Sequence, residues 1–530
     1  MVARTLGSSE SIGKMFEITT LFQSMSGLKL NKGKCDMMWI GAWDCRQHAS
    51  NDLNLQMGTL NILGVHVGHD KQECRLRNFD KKTDKLKTRL ALWKQRNLTI
   101  IGRILISKAQ GISNLIYTMS TQYTSEATLK PAHAQLRNFI WNSKPSKLGY
   151  RSLQSPYDKG GLRAPNIFLY NKAIKLSWLS VLLQNIDWNP ALNKIINEYG
   201  GWKLLLNANS NATFFHIPEF YQQILKFFHE LMVVPNKEQI IWNNKLIKIQ
   251  NKPIFWKNWY EAGIICILDV LDDQQSVLKR DELTNKFGIQ CSVGCYRLFR
   301  NAVRRAMDVL KNNNTGLFVI SRQKLEQTVF KTKLENLLDL RKAKCKDYYS
   351  ELVEMSSTEP VSFQKWKLSH NVSDEILKTS FVLHRKSCQD VKLLTFQYKL
   401  INNLIANNKN LTKWKIRSCS KCPYCQEEDT SWHMFIECPN TINHLKAIMA
   451  ILRIDKIVPL EFMFGSYNPA VNVIYLTAKK YIWHTRFHNK QFNLLEFISE
   501  LKLQISADAN KLTNLSFKAK WEEFIDIMTV

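Results

Sequence analysis

The sequence predicts a mainly α protein, with a small α+β portion at its N-terminal end and a compact Cys/His knuckle late in the chain. Three observations support this. Apolar residues recur at helical spacing from about Asp70 to Asn142, and mostly again from Asn189 to Leu411. Before residue 70, two short apolar stretches have the length of strands. Four metal-ligand side chains crowd into Cys422–Cys438, with Cys419 beside them, whereas the other eight cysteines are scattered. With 530 residues, 45% hydrophobic and 22% charged, the chain is long enough for three or four folded units and is not a wholly disordered one.

The elements follow in order. Ile12–Met25 reads as a helix, with Met15, Ile18 and Phe22 at helical spacing, and Ser26-Gly27 ends it. Met37–Ile40 and Leu60–Val67 suit strands. Phe79, Leu86, Leu90 and Trp93 mark one helix face. Thr99 can cap a second helix carrying Ile101, Ile104, Leu105 and Ile112, and Ser125 a third carrying Leu136, Phe139 and Ile140, with Pro131 in its first turns. These three share one core or pack on separate neighbours. Tyr150–Pro165 reads as a loop, then Ile167–Gln184 as a helix. The long middle is mostly helical, broken at Pro218, Pro235, Pro253 and Pro360. Its aromatics (Trp242, Phe255, Trp256, Trp259, Phe363, Trp366) suit a core better than a base-stacking platform. The expected segments are 1–69, 70–150, 151–410, 411–445 and 446–530, the last with a basic, aromatic run from Leu476 to Arg486.

Lys plus Arg is 74 and Asp plus Glu 45, a net charge of +29. A polyanion is the first partner this implies, with nucleic acid ahead of an anionic membrane; a generally basic chain without such a partner is the alternative. Within Lys71–Lys108, twelve basic residues face three acidic ones. A merely solvated helix face alternates its signs. This one does not, and a phosphate-facing surface is the preferred reading. No N-terminal apolar run has signal-peptide length, and the longest apolar stretches fall short of the roughly 18–20 residues that span a bilayer. An intracellular protein is expected.

The chemistry concentrates at Cys422, Cys425, His433 and Cys438, spaced C-x2-C-x7-H-x4-C. Two thiolates from one tight turn and two ligands from the following turn can close a tetrahedron, and this donor set selects zinc. All four positions are then filled by protein, so the metal is structural. Two other readings stand beside it. Cys-Pro-Tyr-Cys is also a thiol-redox tetrad when it opens a helix after a strand, and the cysteines can be unliganded. Cys419 is a competing ligand.

These residues resemble the C-terminal part of a non-LTR (LINE-type) retrotransposon reverse transcriptase, with similarity in order over most of the chain. Phe22-Gln-Ser-Met-Ser-Gly-Leu-Lys-Leu-Asn31 with Lys34 resembles the palm segment after the catalytic aspartates. Leu60-Asn-Ile-Leu-Gly-Val-His-Val-Gly68 resembles the hairpin that grips the primer end. Leu92-Trp93, Arg96, Leu98-Thr99 and Gly102-Arg103 resemble the thumb signature, and Phe139-Ile-Trp141, Pro145 and Gly160-Gly161-Leu162 with Pro165 the segment after it. Trp242-Asn-Asn244 with Gly263-Ile264, and Phe396-Gln-Tyr398, resemble linker motifs. Cys422–Cys438 with Pro439 matches the family's zinc-binding segment.

The resemblance implies a palm remnant over 1–69, a helical thumb over 70–150, a linker region and a zinc knuckle. It implies template RNA and RNA/DNA or DNA duplex as partners, in the nucleus or cytoplasm as ribonucleoprotein, with no membrane and no small-molecule substrate. Lys29, Lys34, Arg89, Arg96, Arg103 and Lys108 are the expected phosphate contacts. The family's polymerase centre also needs an early palm Asp and an aromatic-x-Asp-Asp turn to hold two Mg²⁺ ions. The similarity here begins downstream of both. Asp272-Asp273 lacks the aromatic and is read as a solvated pair. The expectation is therefore a truncated element or partial gene product without catalytic residues of its own, in which Lys34 has no pyrophosphate to assist. The alternatives are a stand-alone zinc-stabilised nucleic-acid-binding protein and a thiol-redox protein using Cys422 and Cys425.

Overall fold

Thr99 and Ser125 open helices as their positions predict. The Thr99 hydroxyl accepts from the Gly102 amide at 3.2 Å and starts Ile100–Ile106. The Ser125 hydroxyl accepts from the Thr128 amide at 3.2 Å and starts Glu126–Ile140. Each such cap contributes about 1 kcal/mol. The computed structural model describes residues 5, 8–41, 53–142, 145–184, 189–209, 216–313 and 315–524. Cys45, most of the extreme N-terminus and parts of the Asn-rich patches lie outside them. The chain is mainly helical with small sheets, and contacts divide it into two units. Among the described residues, no helix is long and apolar enough to cross a membrane.

The first unit comprises Met1–Leu90, Gln110–Gln135 and Ile167–Leu352. Its first helix, Ser9–Ser26, ends on Gly27, whose φ of 71° is the left-handed conformation that glycine adopts without penalty. This helix and the residues after it leave Ile18, Leu21, Phe22, Met25 and Leu28 exposed. The stretch Leu60–Val67, strand-like by its apolar run and a hairpin by the family resemblance, is a hairpin of Thr59–Ile62 and Val65–Gly68, with Ile62 opposite Val65. Leu63 and Gly64 both have positive φ, the two-residue turn that matches strand twist. The other expected strand is shorter, Asp36–Met37, paired parallel to Asn54–Leu55.

Two apolar cores hold this unit. In one, helices Ile167–Gln184 and Glu219–Leu231 pack through Leu176, Leu179, Ile224 and Phe228. The other surrounds Trp242, fully buried, whose indole donates to the Ile264 carbonyl at 2.6 Å. The neighbouring Asn244 side chain donates to the carbonyls of Glu238 and Ile240. The two separated motifs Trp242-Asn-Asn244 and Gly263-Ile264 are thus joined by backbone satisfaction. Residues 232–278 depart from the helical expectation: they form short strands, turns and one-turn helices around this Trp. Their periodicity was that of apolar side chains reaching one core from irregular backbone, in which Asn243, Gln250 and Asn251 take positive φ. Asp272 and Asp273 lie in a tight turn, where the Asp272 carboxylate accepts from the Gln274 and Ser276 amides.

The second unit comprises Ala91–Ala109, Leu136–Asn166 and Val353–Val530. Its core is built on helix Pro469–Phe487, packed against Asp374–Ser387, Val391–Ile401 and Leu494–Ala509. The basic, aromatic run Leu476–Arg486 lies within this helix and is largely buried. Lys479 has no exposed surface and donates to the carbonyls of Phe462 and Met463. Phe396, Gln397 and Tyr398 are also buried, Gln397 donating to the Met463 carbonyl. The expected loop after Tyr150 contains two short turns of helix, Tyr150–Gln154 and Tyr157–Lys159. It is pinned where the Gly161 amide donates to the Pro156 carbonyl at 2.9 Å, and the Leu162 and Ala164 amides to Leu153.

A Cβ at Gly161 would run into the Ser155 backbone carbonyl, which cannot move without breaking this loop. Gly161→Ala is expected to lower the unfolding free energy by about 3 kcal/mol in a urea titration, whereas Gly58→Ala, with open space around it, leaves it nearly unchanged.

Candidate metal centre

Two local structures bring the four ligands together. Cys422 and Cys425 flank a tight turn, closed by the Gln426 amide donating to the Cys422 carbonyl at 3.0 Å and the Cys422 amide to Glu427 at 2.7 Å. His433 and Cys438 bracket the π-turn His433–Glu437, in which the Cys438 amide donates to the His433 carbonyl at 2.8 Å. Cys438 then caps helix Pro439–Leu452, with Pro439 in its first turn. The widened turn places a ligand five residues on against its partner, which a regular α-turn would carry past it.

One ligand atom from each of the four lies within 4.8 Å of all the others. The sulfurs of Cys422 and Cys438 are 3.9 Å apart, and Cys425 Sγ is 3.2 Å from His433 Nε2. A tetrahedral cation with bonds of about 2.3 Å to sulfur separates its thiolates by about 3.8 Å. The set therefore fits a metal ion such as zinc. Burial first, then the neighbouring sulfurs of Cys422 and Cys438, push the Cys425 thiol up. A divalent cation relieves that crowding of like charges. Glu437 lies 3.9 Å from the other ring nitrogen of His433. Cys419 is exposed and outside the cluster, its sulfur accepting from the Lys421 amide. Cys422 and Cys425 do not open a helix, as a redox tetrad would.

Arg486, from the buried helix Pro469–Phe487, was not legible as part of this site. Its guanidinium donates to Cys438 Sγ and to Cys422 Sγ, each at 3.3 Å, and to Asp429 Oδ1 at 2.8 Å. The other Asp429 oxygen accepts from the Asn408 amide at 2.8 Å. Burial opposes ionisation of Cys438, but the Thr441 amide, Arg486 and the Asn440 amide outweigh it and hold that thiol below its ordinary range. Spacing gives no clue to Arg486, which sits 48 residues beyond Cys438 inside an apolar helix.

The expected phosphate contacts fall in both units. In the first, Lys29 and Lys34 are exposed, and Arg89 is exposed on helix Lys81–Lys94. In the second, Arg96 is exposed and lies over the Trp93 ring at 5.2 Å. Arg103 is half-buried and donates to the Ile140 carbonyl at 3.2 Å. Lys108 is half-buried and lies in the electrostatic reach of Arg163 and Arg385. A further exposed basic row, Arg297, Arg304, Arg305 and Lys311, lies on helix Val293–Asn312, outside the basic stretch Lys71–Lys108.

Arg486→Met removes both donors to the sulfurs. It is expected to weaken metal binding about 10–100-fold in a chelator competition, the usual effect of losing a partner of the ligands.

No family model matches the chain. A "Putative ribonuclease H protein" of Arabidopsis thaliana is 25% identical over 123 residues, which cover 22% of this chain. The chain matches only about a fifth of that relative's length, 20%.

Proposed function

We propose that this chain is the C-terminal region of a retroelement reverse transcriptase, binding RNA and primer–template duplex through basic surfaces and stabilised by a structural zinc ion. The observation that carries the reading is the Cys3His cluster, closed by four protein ligands and buried at Cys422, His433 and Cys438. A fully ligated soft-donor site leaves no position for a reacting water, and its metal contributes folding energy. The ordered motifs of the sequence, the charge of +29 and the short similarity to a relative named as a ribonuclease H protein support a nucleic-acid partner. The exposed apolar row from Ile18 to Leu28 is a surface suited to being covered by further protein, as a palm helix is.

Polymerase chemistry needs paired carboxylates holding two metal ions. In this reading those belong to the palm segment upstream of the similarity, and the chain alone does not extend a primer. Magnesium-dependent synthesis by the purified chain would overturn that part.

Protein purified under reducing conditions is expected to contain about one zinc per chain and to lose it in His433→Ala. A zinc-free wild type with an oxidisable Cys422/Cys425 pair would favour the thiol-redox alternative. RNA affinity is expected to fall steeply with salt. Arg89→Gln and Arg96→Gln should each flatten the log–log slope by about 0.7–0.9. A wild-type affinity insensitive to salt would remove the phosphate contacts.

A further inference from the structure

Three cations without an ion-pair partner among the described residues come near one another in the second unit. Lys108 lies on the π-turn Ser107–Ile112, Arg163 follows the Gly160–Gly161 pair, and Arg385 lies near the end of helix Asp374–Ser387. The Arg163 guanidinium lies 4.7 Å and the Arg385 guanidinium 3.8 Å from the centre of one ring, that of Tyr157. Lys108 lies in the electrostatic reach of both: after burial, the charges of Arg163 and Arg385 lower its pKa. Among the described residues, none of the three forms an ion pair.

Elsewhere in the same unit, cations held near the core have found acids. Lys159 pairs with Glu354, Lys520 with Asp508, and Arg486 with Asp429. Mutual repulsion of three cations in partly desolvated surroundings opposes folding. Here the backbone nevertheless maintains it. Arg163 takes a left-handed φ of 52°, and its amide donates to the Ser155 carbonyl at 3.1 Å. Tyr157 is held in the turn Tyr157–Lys159, whose Gly160 end is also left-handed. Strain and like charge kept together in one pinned loop are the marks of a site built for a ligand. Guanidinium groups stacked on a ring still present their planar donors at the edge, the geometry that grips phosphate oxygens. Arg163 is exposed, which leaves the cluster open to solvent on that side.

We propose that Arg163 and Arg385, gathered on Tyr157, with Lys108 in their electrostatic reach, bind a phosphate of a nucleic-acid strand. This rests on the nucleic-acid reading above and gives it a specific contact point. Of the three, only Lys108 belonged to the basic stretch visible in the sequence.

The test is the salt dependence of binding of the full chain to a fluorescent single-stranded RNA and to an RNA/DNA duplex. The double variant R163Q/R385Q is expected to lower the log–log slope by about 0.7–0.9, the share of one phosphate, on the strand that occupies the site, and K108Q by part of that amount. K365Q, an exposed lysine on another helix, serves as the comparison for loss of one charge and should change the slope by less than K108Q does. If the double variant fails to fold, R163Q alone, at the exposed side chain, carries the test with an expected loss of part of the roughly 0.7–0.9 that one phosphate contributes. A separate arm follows line broadening of inorganic phosphate by ³¹P NMR. Broadening that disappears in R163Q/R385Q, with unchanged RNA and duplex slopes, would make this a free-phosphate site and overturn the proposal. Slopes equal to wild type on both nucleic acids, without broadening, overturn it as well. A wild type that binds neither nucleic acid at low salt removes the broader nucleic-acid reading and this site together, which is distinguishable from loss of the site alone.

Discussion

Burying Arg486 obliges the second unit to keep one geometry. A guanidinium placed in an apolar core is tolerated only where every donor has a partner and its charge a counter-charge. Here Asp429 supplies the charge, and the sulfurs of Cys422 and Cys438 supply two acceptors. The helix that carries Arg486 is the same one around which the core of that unit packs. The Cys/His loop is therefore not an appendage to the unit. It is bonded to the central helix through side chains whose alternatives are all worse, because removing any member leaves a buried polar group alone.

The two kinds of cation in the unit follow from the same rule. Lys479 and Arg486 are buried and satisfied, by carbonyls in one case and by an acid and sulfurs in the other. Lys108 and Arg385 are only partly buried, Arg163 is exposed, and none of the three has an ion-pair partner among the described residues. Positive charge counted along the chain cannot separate these classes, yet they imply opposite things. A paired cation contributes to the architecture, while an unpaired cluster keeps its charge available to an anion from outside.

Much of the local structure was legible. The helix starts at Thr99 and Ser125 follow from capping chemistry, which acts within three residues. The four ligands Cys422, Cys425, His433 and Cys438 were legible because tight turns bring such spacings together whatever surrounds them. Where the reading departed, the deciding contacts were long-range. The segment 232–278 looked helical, yet its apolar residues serve a core organised by Trp242 and Ile264, which lie 22 residues apart.

The amino-acid order by itself determined the helical class, the caps and the soft-donor set, because each rests on interactions spanning a turn or two of backbone. Only the tertiary structure decided which charges are buried and which converge. Arg486 reaches Cys422 across 64 positions, and Arg385 shares a ring with Arg163 from more than 200 positions away. Coulomb forces and hydrogen bonds depend on distance in space, and at such separations the chain sets that distance only through the packing of everything between.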